Sequence, residues 1–301
     1  MSHNSDISHQ KANSQSVSLA HNYKGFYPAH FVHLSLPYRK ISETYWHRKN
    51  GHKSMTMTAG TYETPDGEII NMVPYGKYAR LALMYLCTES ARTKSPRVEL
   101  SRTLRGFMRD LGLRWNSQEA KEAVTQLRAL LAMQVSFTNT EPLQEGRKRM
   151  VSCAFTVGSR VDITFEADGN IDDRVSYFLL SNDFYEAVVS QWSVPMEHKV
   201  WAELVRSTKS PMALDIYLWL NARIHNSRGE SSVSWEQLSE QFGSNTSNIR
   251  KFKEQFRKAL NDVLETAPQY KSSIREVGAG RGKTKGLKGF LINPRPVKSL
   301  E

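Results

Sequence analysis

Three consecutive segments decide the fold: Ser234-Trp-Glu-Gln-Leu-Ser-Glu-Gln-Phe-Gly243, then Ser244-Asn-Thr-Ser-Asn248, then Ile249-Arg-Lys-Phe-Lys-Glu-Gln-Phe-Arg-Lys-Ala-Leu260. The first reads as a short helix. Ser234 is a natural N-cap, Gln237 three residues on completes a capping box, and Gly243 ends it. A turn of short hydrogen-bonding residues leads into a long helix from Thr246 to Thr266, which Pro268 terminates. On a helical wheel Ile249, Phe252, Phe256, Ala259, Leu260 and Val263 share one apolar sector. Arg250, Lys251, Glu254, Arg257 and Lys258 lie opposite, and Glu254 is four residues from both Arg250 and Lys258, close enough to hold them. A glycine-ended helix, a polar turn and a helix with a cationic outer face are the parts of a helix-turn-helix.

Working outward, Ser210-Pro211 starts a helix that runs through Arg223, with proline at the tolerated first position. Beyond Pro268, Tyr270 to Ile274 and Leu287 to Ile292 read as strands joined by the Gly/Lys/Arg loop Gly278 to Gly286. The same order is faintly visible earlier. Helices are expected over Tyr78–Arg92, Ser101–Leu111 (stopped by Gly112) and about Ser117–Met133. Strand-like Gln134–Thr138 and Val151–Val157 follow, with the basic tip Arg147-Lys-Arg149 between them as a first wing, and then Val161–Phe165. A strand at Ser54–Thr58 and a hairpin around Pro65-Asp-Gly67 precede this unit. Residues 1–53 are rich in Ser, His, Asn and Gln and read as a flexible polar leader, with Phe26-Tyr-Pro and Phe31-Val-His-Leu as segments able to dock. The expected fold is therefore α+β: tandem winged-helix (helix-turn-helix) domains with β-hairpin wings, at 54–170 and 171–301.

The chain has 301 residues and a formal charge of +11, and 39% of it is hydrophobic, enough for a real core. No apolar run reaches the length of a membrane-spanning helix, and no secretory signal precedes the folded part, so a bacterial cytoplasmic protein with no membrane partner is expected. Cys87 and Cys153 are far apart and have no CxxC or Cys/His spacing, which excludes a disulfide scaffold and argues against structural zinc. The charge is uneven. Residues 171–245 carry 6 Lys/Arg against 10 Asp/Glu, whereas residues 246–300 carry 13 against 4. Such a local surplus is the footprint of a surface for a polyanion.

Enzyme signatures are missing. Gly282-Lys283-Thr284 resembles the end of a phosphate-binding loop, but the glycine required at 277 is Val277 and a strand, not a helix, follows. His30 and His33 are not in the His-hydrophobe-His arrangement of nicking initiators, and no G-x-S-x-G or HExxH occurs. Trp192, Trp201, Trp219 and Trp235 are expected in the core. The chain reads as non-enzymatic, without cofactor, metal or catalytic residues. The residues assigned to DNA are Ser247, Asn248, Arg250, Lys251, Lys253, Arg257 and Lys258 on and before the long helix, and Arg281, Lys283, Lys285 and Lys288 on the loop. Residues at the start of such a helix reach base edges in the major groove, and lysines and arginines further along meet phosphates. Lys121 and Arg128 compete with Glu119 and Glu122 on the first unit's third helix, so that unit is assigned dimerisation or backbone contact.

Val73-Pro-Tyr-Gly-Lys-Tyr-Ala-Arg-Leu-Ala-Leu-Met-Tyr-Leu-Cys-Thr-Glu-Ser-Ala-Arg-Thr-Lys-Ser95 and Phe107-Met-Arg-Asp-Leu-Gly-Leu113 resemble the first half of the plasmid-encoded RepA replication initiators. Ser210-Pro-Met-Ala-Leu-Asp-Ile-Tyr-Leu-Trp-Leu220 and Val233-Ser-Trp-Glu-Gln-Leu-Ser-Glu-Gln-Phe-Gly243 are similar to the second half. The resemblance spans roughly residues 60–297 and implies a protein that binds repeated duplex sites at a plasmid origin and recruits host replication proteins. Related initiators suggest a homodimer in equilibrium with monomer, and repression of the protein's own gene. A repressor without initiator activity is the competing reading. Direct repeats beside the gene would favour the first, a lone palindrome the second. A nicking or NTP-driven initiator is the third reading, and failure to find a nick or nucleotide turnover would dispose of it.

Overall fold

Two asparagines in equivalent positions show how the chain is built. Asn116 caps one long helix and Asn248 caps another, and each helix is the third of its set. The computed structural model describes residues 24–64, 66–100, 103–162, 176–190, 193–243, 248–278 and 288–294. In chain order its elements are β1 (Lys24–Pro28), α1 (Ala29–His33), β2 (Tyr45–Asn50), β3 (Lys53–Thr58), β4 (Gly60–Glu63), β5 (Ile69–Met72), α2 (Gly76–Thr93), β6 (Arg97–Glu99), α3 (Leu104–Asp110), α4 (Ser117–Ala132), β7 (Gln134–Pro142), β8 (Lys148–Thr156), β9 (Gly158–Asp162) and β10 (Tyr177–Leu180). There follow α5 (Asn182–Phe184), which continues as a π-helical turn over Tyr185–Ser190, β11 (Ser193–Glu197), α6 (His198–Ser207), α7 (Pro211–Asn226), β12 (Ser231–Ser234), α8 (Trp235–Phe242), α9 (Ile249–Thr266), β13 (Ile274–Val277) and β14 (Gly289–Ile292).

The α+β class stands, and the repeat is plain in the topology. The elements α2, β6, α3, α4, β9 and β10 run in the same order as α7, β12, α8, α9, β13 and β14. In each set the last strand lies between the other two, as β6-β10-β9 and β12-β14-β13, and every pairing is antiparallel. One hydrophobic core runs through both sets. Trp201, Trp219 and Trp235 are buried in it, and Trp192 lies outside the described residues.

The structure corrects the first wing. The hairpin β7–β8 with the tip Arg147–Arg149 does not complete the first unit's small sheet. It joins strands of the N-terminal segment in a separate sheet, β2-β3-β7-β8. The reason is apolar pairing: Met57 lies opposite Val135 and Met55 opposite Phe137, and all four are buried. The strands equivalent to β13 and β14 are β9 and β10, and the chain between them, 163–175, lies outside the described residues.

Nor is the expected leader wholly a leader. From Lys24 it is folded, and β1 pairs along β11 from Lys24↔Glu197 to Pro28↔Ser193. Tyr27, Phe31, Val32, Leu34 and Leu36 are buried. This arm docks on the end of α8: Gln241 Nε2 donates to the Val32 carbonyl (3.1 Å) and Ser35 Oγ donates to the Gln241 carbonyl (3.3 Å). The segments at Phe26 and Phe31 are the ones that dock. The strand expected at Tyr270–Ile274 starts only at Ile274, because Pro268–Tyr270 forms a 3-10 turn. That turn buries Tyr270, whose hydroxyl donates to Asn221 Oδ1 at 2.8 Å and whose ring stacks on Tyr217.

Candidate nucleic-acid interface

The candidate surface is built on α9. Its first turn is held by Asn248, whose side-chain oxygen accepts from the backbone N–H groups of Arg250 (3.1 Å) and Lys251 (3.2 Å), two donors a helix start leaves unpaired. Phe252, Phe256, Ala259, Leu260 and Val263 are buried as the wheel requires. Ile249 is not. It is 39% exposed, because the helix starts at this residue and its first turn projects past the core. Beneath α9 sits Trp235, met edge-on by Phe252, Phe256 and Phe290 at centroid distances of 6.2, 5.6 and 5.1 Å.

The element before it, α8, carries the expected capping box. Gln237 N–H donates to Ser234 Oγ (3.2 Å), and Ser234 N–H donates back to Gln237 Oε1 (2.9 Å). Gly243 follows, and its φ of −58° is ordinary. The glycine is required for another reason: a Cβ there would lie 2.1 Å from the Ser239 carbonyl oxygen. The C-terminal end of α8 therefore depends on a missing methyl group, whereas Gly112 in the first unit has the left-handed φ of +78°.

The cations of α9 divide into three groups. Arg250 is exposed at the start of the helix, and no ion pair holds it among the described residues. Lys251 and Lys258, two turns apart, face a groove of about 670 Å³ together with Gln255 and Asp262. Lys253 and Arg257 turn to the opposite flank, with Lys253 Nζ 5.3 Å and Arg257 Cζ 5.0 Å from the centroid of Trp235. There Arg257 donates twice to Glu276 on β13, through Nε (3.0 Å) and Nη2 (2.7 Å). Hydrogen bonding to that carboxylate raises the guanidinium pKa. The ion pairs expected from Glu254 to Arg250 and Lys258 are not formed, and the pair that does form, Arg257–Glu276, joins helix to sheet.

Lys288 is exposed at the base of β14, and its carbonyl accepts from Trp235 N–H at 2.9 Å. Close by, Glu236 in the first turn of α8 is held below the usual carboxylate range, first by its own backbone N–H, then by the Ser234 hydroxyl, with Lys253 and Lys288 adding. Ser247, Arg281, Lys283 and Lys285 lie outside the described residues. Reading the sequence missed the far wall of the groove, which is formed by Arg39 and Lys40 of the arm and by Lys209 just before α7. The adjacent basic pair and the lysine beside the Ser210 cap were visible, but the tertiary docking that brings them to α9 was not. Among the described residues no group of three or more His, Cys, Asp or Glu side chains could hold a metal, and no helix is long and apolar enough to cross a membrane.

Comparison with known proteins places this architecture. It is similar to the crystal structure of RctB domains 2–3, with a TM-score of 0.51 at 12% identity over 88% of this chain and 96% of that one. The selenomethionine derivative of the same two domains gives 0.52 at 11% identity with the same coverage. At such identity the likeness is one of fold. No curated protein matches the chain. The family model for the plasmid encoded RepA protein matches residues 73–237, from just before α2 into α8, which is more than half of the sequence. The chain belongs to the plasmid-encoded RepA family.

Proposed function

We propose that this protein is a plasmid replication initiator that binds repeated duplex sites at its origin through α9 and recruits host replication proteins there. Family membership supports the initiator role. The observation that carries the DNA-binding part is the exposed stripe Arg250, Lys251 and Lys258 on α9, which no acidic side chain neutralises among the described residues. The order α7, β12, α8, α9, β13, β14 with β14 central is read as a winged helix, with the loop after β13 as its wing. In that geometry the first turn of α9 enters the major groove. Arg250 suits a guanine edge and exposed Ile249 a thymine methyl, while the lysines further along meet phosphates. Neither enzymatic step nor cofactor belongs to this mechanism, since phosphate and base contacts suffice.

The first unit is assigned self-association. Its strand β8 ends the sheet β2-β3-β7-β8 and exposes Met150 and Val151, a surface suited to a second copy in a monomer–dimer equilibrium. The deciding experiment is footprinting on the DNA flanking the gene with the intact protein and with Arg250→Ala. Protection of an array of repeats, weakened by about tenfold in the variant, is expected. Absence of any protected repeat would overturn the reading.

A further inference from the structure

The groove beside α9 has a wall of its own chemistry. Its charged lining comes from three separate parts of the chain: Arg39 and Lys40 from the arm, Lys209 from the α6–α7 connection, and Lys251 and Lys258 from α9. All five are exposed, and none forms an ion pair among the described residues. The single acid in the lining, Asp262, already accepts a hydrogen bond from Thr208 Oγ1 at 2.7 Å. Bringing five like charges to one groove opposes folding unless an anion relieves it.

We infer that this groove is a second backbone clamp for duplex DNA, in which Arg39, Lys40 and Lys209 hold the phosphates flanking the strand contacted by Lys251 and Lys258. The inference rests on the DNA-binding reading of α9 and extends it to residues outside the helix-turn-helix. An extended polyanion fits better than a compact one, because the charges are solvent-exposed and set along both walls of an open groove. Between those walls Ile41, Pro211, Met212 and Ala259 supply apolar lining that matches deoxyribose. The groove is also continuous with the site, since Lys251 immediately follows Arg250 on the same first turn of α9.

The test uses the full-length chain and a short duplex of arbitrary sequence, titrated over a range of salt. Arg39→Ala with Lys40→Ala, and separately Lys209→Ala, should weaken binding and flatten the plot of log affinity against log salt by about 0.9 for each phosphate that is no longer neutralised. Circular dichroism should be unchanged and the melting temperature should hold or rise slightly, since these side chains are exposed and unpaired and their removal only relieves like-charge repulsion. Polyglutamate should compete no better than simple salt of equal ionic strength. Unchanged salt slopes in both variants, with Arg250→Ala still impaired, would overturn the clamp and leave the α9 reading intact. Capture of polyglutamate through Lys40 and Lys209 would overturn it in favour of an acidic protein partner. Failure of the unaltered protein to bind any duplex in dilute buffer would instead remove the α9 reading, and the clamp with it.

Discussion

Arg80 and Asp215 are the fifth residues of α2 and α7, the first helices of the two repeated units, and they bind each other. Arg80 Nε and Nη2 donate to the two carboxylate oxygens, both at 2.7 Å. The remaining donors reach the carbonyls of Leu36, Pro37 and Gly76 at 2.8–3.1 Å, so all five N–H groups are satisfied. Burial alone would lower the Arg80 pKa, and the Asp215 carboxylate more than reverses it, so the guanidinium stays charged at full burial. Equivalent positions of the two first helices therefore meet where α2 packs against α7. The same arginine ties the N-terminal arm to both units.

Asp215→Ala should therefore cost about 3–5 kcal/mol, because it leaves a buried cation with no counter-charge. The double variant Arg80→Met with Asp215→Leu should recover most of that loss, since neither charge then needs a partner. Urea denaturation of the three proteins checks both statements. A loss below about 1 kcal/mol for Asp215→Ala would mean that water replaces the carboxylate and that the pair is not the joint it looks to be.

Arg257 is held by Glu276, and in the proposed binding mode that pair keeps it from phosphate. Glu276→Gln should release it, tightening duplex binding and steepening the salt slope by about one unit for one additional phosphate neutralised. Because both side chains are partly exposed, stability should change by under ~1 kcal/mol. By the same geometry Arg257→Ala should impair binding less than Arg250→Ala. Equal impairment in the two alanine variants would show that the Arg257–Glu276 pair opens freely when DNA arrives.

This hierarchy is not legible in the sequence, where Arg250 and Arg257 look alike on the outer side of one helix. What a helical wheel reports is local: the buried row from Phe252 to Val263, the Ser234–Gln237 capping box and the stop at Pro268 all follow from neighbours within a few residues. Glu276 lies nineteen residues from Arg257 and reaches it only through the strand of a folded sheet. The arm is hidden for the same reason. Its polar composition describes residues 1–23 as much as the rest, and the value of Phe31 or Gln241 emerges only when α8 is present to receive the chain. The displaced first wing is a third case, since β7 pairs with β3 across a separation of roughly eighty residues that no periodicity reveals. Helix α6 is not evident in the sequence either, although its Trp201 reads as core and is buried.

At Gly243 the added methyl of Gly243→Ala would meet the Ser239 carbonyl oxygen at 2.1 Å, which backbone movement must relieve. The expected loss is about 1–3 kcal/mol, with weaker DNA binding because the strain falls at the end of α8, which packs against α9. Thermal melting and duplex titration of the same protein measure the two effects together. A variant as stable as the original and unimpaired on DNA would show that the end of α8 relaxes without moving α9.

Acid should weaken the fold through His33. Burial pushes its pKa down to about 4 from an ordinary 6.5, and Lys53, Arg223 and His30 reinforce the effect. His30 and His198 are lowered as well, in each case first by burial. A histidine that must be neutral when folded binds its proton more readily in the unfolded chain. Its contribution is therefore complete above about pH 6.5 and is lost as pH falls toward about 4, by at most about 3 kcal/mol for His33. His33→Gln should make stability shallower in this window, by up to about 1.4 kcal/mol per pH unit, while His30 and His198 preserve a residual slope. Denaturation midpoints measured at several pH values supply the comparison. If the variant kept the full slope of the original protein, protonation of His33 would have to occur without unfolding, and the N-terminal arm would have to tolerate a charge at the end of α1.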